Sequence, residues 1–328
     1  MLRALKLICL AVLFSCYVVA QTAAQGVIEP IASALRAEEF DRALNLLQPA
    51  LQRFPNDPEL WTMQGVAQAS KGQKPEALTS FRRALKILPD NVPALQGTAQ
   101  IDYDTGNPEG IPVIEHLLRL RPNDLTSHGM LAVLEFQQGQ CSKAVTHFER
   151  AESLFEAQLP ALHAYAACLV KLKRFESAAN VLQKAVVLKP NDPRERKVLS
   201  SVQLIAHRPQ EAIATLEPLL STAPDAQTLE LASAAYEDAH DTEKAVDALR
   251  RAILLEPENA QLYVDFAAIS ATHQSFQVGI NVVDDVSTCY PRRPRYILRV
   301  ECFTSSLPNT KKPRRISKRH TISIPANH

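Results

Sequence analysis

Three nine-residue phrases recur along the chain: Glu76-Ala77-Leu78-Thr79-Ser80-Phe81-Arg82-Arg83-Ala84, Lys143-Ala144-Val145-Thr146-His147-Phe148-Glu149-Arg150-Ala151 and Lys244-Ala245-Val246-Asp247-Ala248-Leu249-Arg250-Arg251-Ala252. Each sets a small residue, a large apolar one four later and a small one three after that. Positions i, i+4 and i+7 share one helical face, so each phrase predicts a helix whose alanine side lets a neighbour come close. Prolines keep the same beat at Pro55, Pro89, Pro122, Pro190, Pro224, Pro257 and Pro291, separated by 34, 33, 68, 34, 33 and 34 residues, with Glu156 standing where the long gap skips one.

Proline lacks a backbone donor, so each of these positions, usually followed by Asn or Asp, is expected to end the phrase helix. A second helix fills the other half of each period, as in Leu60-Trp61-Thr62-Met63-Gln64-Gly65-Val66-Ala67, and a turn such as Lys71-Gly72-Gln73-Lys74 separates the two, with Pro75 suited to a first helical turn. Two antiparallel helices per period, with Trp61, Gly65, Ala77, Phe81, Ala84 and Pro89 all in one unit, resemble the tetratricopeptide repeat (TPR). The resemblance implies an all-α fold, an α-α superhelix: a right-handed solenoid of about eight TPR-like repeats over residues 25–292, with a concave face on which a protein or peptide segment lies. By this register repeats end near residues 57, 91, 124, 158, 192, 225, 259 and 292. Departures are a weak leading helix in the first repeat, Gly110 where alanine is usual in the third and Gly279 in the eighth. Pro49, Pro112 and Pro218 fall inside second helices and are expected to kink them, at up to ~3 kcal/mol each if unrelieved.

Residues 1–24 have the layout of a signal peptide: Arg3 and Lys6, the apolar run Leu7 to Ala20, then small-residue exits at Ala20 and Ala24. That run is shorter than the ~20 residues of a membrane helix, and no later window is long and charge-free enough to span a bilayer. The expectation is a soluble periplasmic or secreted chain. The rival is a lipid anchor at Cys16, against which stand bulky Phe14 in the lipobox-like Leu13-Phe14-Ser15-Cys16 and the continuing run Tyr17-Val18-Val19. Beyond the signal, Cys141, Cys168, Cys289 and Cys302 are scattered without CxxC spacing; they read as packed thiols with room for one disulfide, not as a zinc site.

Charge is segregated. Residues 292–328 carry ten Lys or Arg and only Glu301, whereas residues 25–291 hold 24 basic and 34 acidic groups, a net of −10. An acidic exported body argues against nucleic acid as a partner. The segment 293–328 is a basic irregular tail with three readings: a disordered tail, a polyanion-binding arm, or a frameshifted ninth repeat. The last rests on codon arithmetic, because a shifted frame over Arg295 to Lys318 can spell LYLARGVLYVQLAEYEEAEADFEK, whose glycine falls in the slot of Val300 and whose phenylalanine falls in that of Ile316.

No catalytic constellation emerges, and the reading is of a non-enzyme without cofactor or metal. His116, His128, His147, His163, His207, His240 and His273 are dispersed at one per repeat or fewer, away from ligand spacing. Asp104-Thr105-Gly106 matches a protease triplet but sits at a helix end inside a repeat. The resemblance places the groove on the first helix of each repeat and selects Thr62, Val66, Met130, His163, Lys171, Arg194, Lys197, Ser201, Glu230, Glu237 and Asp238 as partner-binding candidates. The family's carboxylate clamp is disfavoured, since Ser201 stands one turn after Lys197 where Asn is expected and Leu231 fills the partnering slot. The expected function is an extracytoplasmic interaction scaffold or adaptor. The alternative is the recognition arm of a larger exported enzyme or envelope-assembly component.

Overall fold

The structure is a computed structural model that describes residues 26–273, and among these there is no strand. The signal peptide and the basic tail of the sequence reading lie outside the described residues. Residues 26–36 form α1. Then follow α2 (Phe40–Arg53), α3 (Pro58–Ser70), α4 (Lys74–Ile87), α5 (Val92–Asp104), α6 (Gly110–Leu120), α7 (Leu125–Gln137), α8 (Cys141–Arg150) and the single turn α9 (Glu152–Phe155). After it come α10 (Leu159–Lys171), α11 (Phe175–Leu188), α12 (Pro193–Ile205), α13 (Pro209–Leu220), α14 (Ala226–Asp238), α15 (Thr242–Leu255) and α16 (Ala260–Thr272). The chain divides into two compact units between Glu152 and Ser153. In the first, α2 to α8 pack in sequence, with α3 also against α5 and α5 against α7; in the second, α10 to α16 pack in sequence, with α12 also against α14.

Asp57, Asn91, Asp124, Asp192, Asp225 and Asn259 each cap the following helix, the side chain accepting from a backbone N–H of its first turn. The Asn or Asp after each helix-ending proline therefore opens the next repeat, and supplies an acceptor that the first-turn donors lack within the helix. At the other end of α1, α3, α5, α7, α10, α12 and α14 one residue adopts positive φ: Glu38, Gly72, Gly106, Gly139, Lys173, His207 and His240. The next residue's N–H reaches back five, as in Gln73 N–H to Gln68 O at 2.9 Å and Arg174 N–H to Leu169 O at 2.8 Å. This left-handed cap favours glycine because it has no Cβ. Replacing Lys173 or His207 by Gly is expected to stabilise its unit by about 0.5–1 kcal/mol, read from urea unfolding.

The phrase residues are the core. Ala77, Phe81 and Ala84 are buried, as are Ala144, Phe148 and Ala151, and Ala245, Leu249 and Ala252. In the third repeat a Cβ on Gly110 would come within 2.7 Å of Cβ of buried Asp102, which accounts for glycine in the alanine slot. Pro49 and Pro218 do lie within α2 and α13. Pro112, by contrast, falls in the first turn of α6, where the missing donor has no intrahelical partner to lose, so no kink is required there. One break was not anticipated: α8 stops at Arg150 and α9 follows, in the repeat where Glu156 replaces the proline.

A second rhythm spans two repeats. Trp61 Nε1 donates to Pro55 O at 2.8 Å, and His128 Nε2 lies 3.1 Å from Pro122 O. In the second unit Arg196 Nε donates to Pro190 O at 3.1 Å and Tyr263 Oη to Pro257 O at 3.1 Å. The intervening repeats carry Leu95, Leu162 and Leu229 at this slot, all buried. Seven residues on, three of these alternate repeats carry buried or half-buried polar pairs: Ser80 donates to Gln68 at 2.7 Å and Thr215 to Gln203 at 2.9 Å, while Glu135 and His147 occupy these slots in α7 and α8.

Candidate interaction surface

The nominated residues lie on α3, α7, α10, α12 and α14, the first helices of their repeats. Three of them are turned inward. Thr62 is buried, donates to Pro58 O at 2.6 Å and accepts from Asn91 Nδ2 at 3.1 Å, which ties α3 to the cap of α5. Met130 packs with Ala99, Ile114, Leu131 and Leu134. His163 is buried and its Nε2 stands 2.7 Å from Oε2 of buried Glu195, joining α10 to α12. These three side chains make their contacts within the fold and leave at most 9% of their surface to a partner.

Two further candidates are engaged at the surface. Lys197 Nζ donates to Asp225 Oδ2 at 2.8 Å, and Ser201 Oγ donates to Lys197 O at 2.8 Å. Burial pushes the Asp225 carboxyl up, but the Lys197 and Thr228 hydrogen bonds outweigh it and hold the group down at about 2. Its stabilisation is therefore complete above the ordinary value of 3.8 and is lost as pH falls through about 2. Asp225→Ala removes both the α14 cap and the tie to α12. It is expected to cost about 1–2 kcal/mol at neutral pH in urea unfolding, with the difference shrinking in acid. Glu237 Oε1 meets His273 Nε2 at 2.7 Å, while its Oε2 is buried without a hydrogen-bond partner. Val66, Lys171, Arg194 and Asp238 are exposed and Glu230 is half-buried. The sequence reading missed Glu195, Asp225 and the Glu135–His147 pair; the signal that finds the last is the twelve-residue spacing shared with Gln68 and Ser80 and with Gln203 and Thr215.

Among the described residues no group of three or more His, Cys, Asp or Glu is arranged to hold a metal ion, and no helix is long and apolar enough to cross a membrane. Cys141 and Cys168 are disulfide-bonded, not free thiols.

Capped helix pairs stacked through small-large-small cores define an all-α, tetratricopeptide-type repeat fold. Models of that repeat match the sequence itself: the cytochrome c-type biogenesis protein H TPR domain over residues 20–162, and a second tetratricopeptide repeat model over residues 135–201. The Protein CTR9 homolog of Arabidopsis thaliana is 26% identical over 306 residues, which cover 82% of this chain and 27% of that protein. The peroxisomal targeting signal receptor of Candida glabrata is 33% identical over 69 residues, 21% of this chain and 12% of the receptor. The chain thus spans only a small part of the length of these relatives. Among solved structures, Naa15/Naa10 bound to HypK-THB aligns with a TM-score of 0.54 at 18% identity, over 84% of this chain and 43% of that one, a likeness of fold.

Proposed function

We propose that the chain is a non-catalytic scaffold acting outside the cytoplasm, in the periplasm or as a secreted protein, which binds a protein or peptide segment along the first helices of its repeats. The observation that carries the reading is the run of tetratricopeptide-type repeats, an architecture typical of protein interaction scaffolds. Export is supported by the charged-then-apolar layout of residues 1–24. The residues nominated for contact are Val66, Lys171, Arg194, Lys197, Ser201, Glu230, Glu237 and Asp238, which keep exposed or half-exposed surface on first helices.

Two experiments test this. A photo-cross-linking residue placed at Val66 or Arg194 in the full chain should capture one defined envelope protein, whereas the same residue at Glu76, on a second helix, should not. Equal capture at all three positions, or none, would remove the binding surface. Separately, the chain carrying residues 1–24 should be recovered outside the cytoplasm in shortened form; full-length protein retained in the cytoplasm would end the export reading.

A further inference from the structure

The α7–α8 hairpin brings together buried His128 and Glu135 and half-buried His147, three titratable side chains that nothing in the binding reading uses. His128 Nε2 lies 3.1 Å from Pro122 O, which can only accept, so Nε2 carries a proton. With one proton on each ring, Nδ1 of His128 is bare and the Nδ1 of His147, 2.8 Å away, is the donor. That leaves Nε2 of His147 as an acceptor, and it faces Glu135 Oε2 at 3.9 Å. Glu135 is 1% exposed, and this oxygen has no hydrogen-bond partner. Two acceptors face each other in the core unless a proton lies between them.

The sister repeats show what the slot takes. Where α7 and α8 carry Glu135 and His147, the second repeat has Gln68 accepting from Ser80 and the sixth has Gln203 accepting from Thr215, both uncharged pairs. We propose that Glu135 is held as a neutral acid directed at His147, so that this hairpin stores one proton in its core at the place where its sister repeats carry a glutamine. Charge at this position is disfavoured from several sides. Burial pushes the Glu135 carboxyl up to about 7, with Lys143 on α8 pulling against it and Glu115 on α6 adding to it. Burial likewise holds His147 down at about 4, and His128, Arg150 and Lys143 act in the same direction.

Between the ordinary values of 4.5 for Glu and 6.5 for His, an unfolded chain keeps this proton on histidine, while the fold moves it to Glu135. The proton count is the same, so the two pH dependences cancel in the unaltered protein. They should separate in variants of the full chain. In Glu135→Gln only the depressed histidine remains, and the unfolding constant in urea should fall about tenfold per unit as pH rises from about 4 to about 6.5. In His147→Ser only the raised acid remains, and the constant should rise about tenfold per unit between about 4.5 and 7. Glu135→Gln restores the residue type of the sister repeats and is expected to fold. Imidazole nitrogen shifts of the unaltered chain at about pH 5.5 give a reading that needs no variant, and His147 should be neutral there. Variant profiles of opposite slope together with a neutral His147 support the stored proton. Profiles parallel to the unaltered chain, or an imidazolium at position 147, overturn it.

Discussion

His163→Ala is expected to lower the stability of the second unit by about 3–5 kcal/mol, although the repeat register nominates the residue for binding. His163 and Glu195 meet at 2.7 Å with 8% and 4% of their side-chain surfaces exposed. Truncating the histidine strands a carboxyl group that has almost no access to water. The cost is that of leaving a buried polar group without its partner, and it exceeds what the pair itself contributes. The control follows from the same physics: replacing both residues by leucine removes the orphan and should restore most of the loss. Urea unfolding of the two variants and the unaltered chain checks this, and a single substitution as mild as the double one would show that the pair is not sealed from solvent.

Phe81→Ala should be comparably damaging in the first unit, at about 3–5 kcal/mol. The ring is 1% exposed and lies between two glycines on successive first helices. A Cβ built at Gly65 would come within 2.5 Å of Phe81 Cε1, and one at Gly97 within 2.4 Å of Cζ. Neither neighbour can yield, because moving the ring from one drives it into the other. Gly97→Ala alone is therefore expected to cost at least about 1–3 kcal/mol through overpacking. Combined with Phe81→Leu it should cost less than the sum, since the smaller side chain gives the added methyl room. Strict additivity in the urea midpoints would show that glycine 97 is not chosen for this ring.

The Phe81 clasp was legible in part: Gly65 and Phe81 belong to the pattern on which the resemblance rests, and the repeat ends read at residues 57, 91, 124, 192, 225 and 259 are the helix-capping residues of the structure. A period fixed by packing leaves its mark on every copy, so it survives in a single sequence. The left-handed caps were half hidden, because glycine announces the conformation at 72, 106 and 139, whereas Glu38, Lys173, His207 and His240 adopt it with no glycine to mark it. The binding face was the least legible part. Register assigns a residue to the first helix but does not say whether its side chain finds a partner in the next repeat, as Thr62 does in Asn91 and His163 in Glu195. Those ties join residues 29 and 32 apart in the chain, a distance at which no local pattern links them.

The hydrogen bond from Trp61, His128, Arg196 and Tyr263 to a prolyl carbonyl, absent at Leu95, Leu162 and Leu229, bears on how such a chain can change its length. Excising a single hairpin would set two like neighbours side by side and mismatch the junction. Removing or copying a stretch of 67 or 68 residues, the spacing between successive donors, would preserve that alternation. Growth and shrinkage in twos is the route this architecture leaves open.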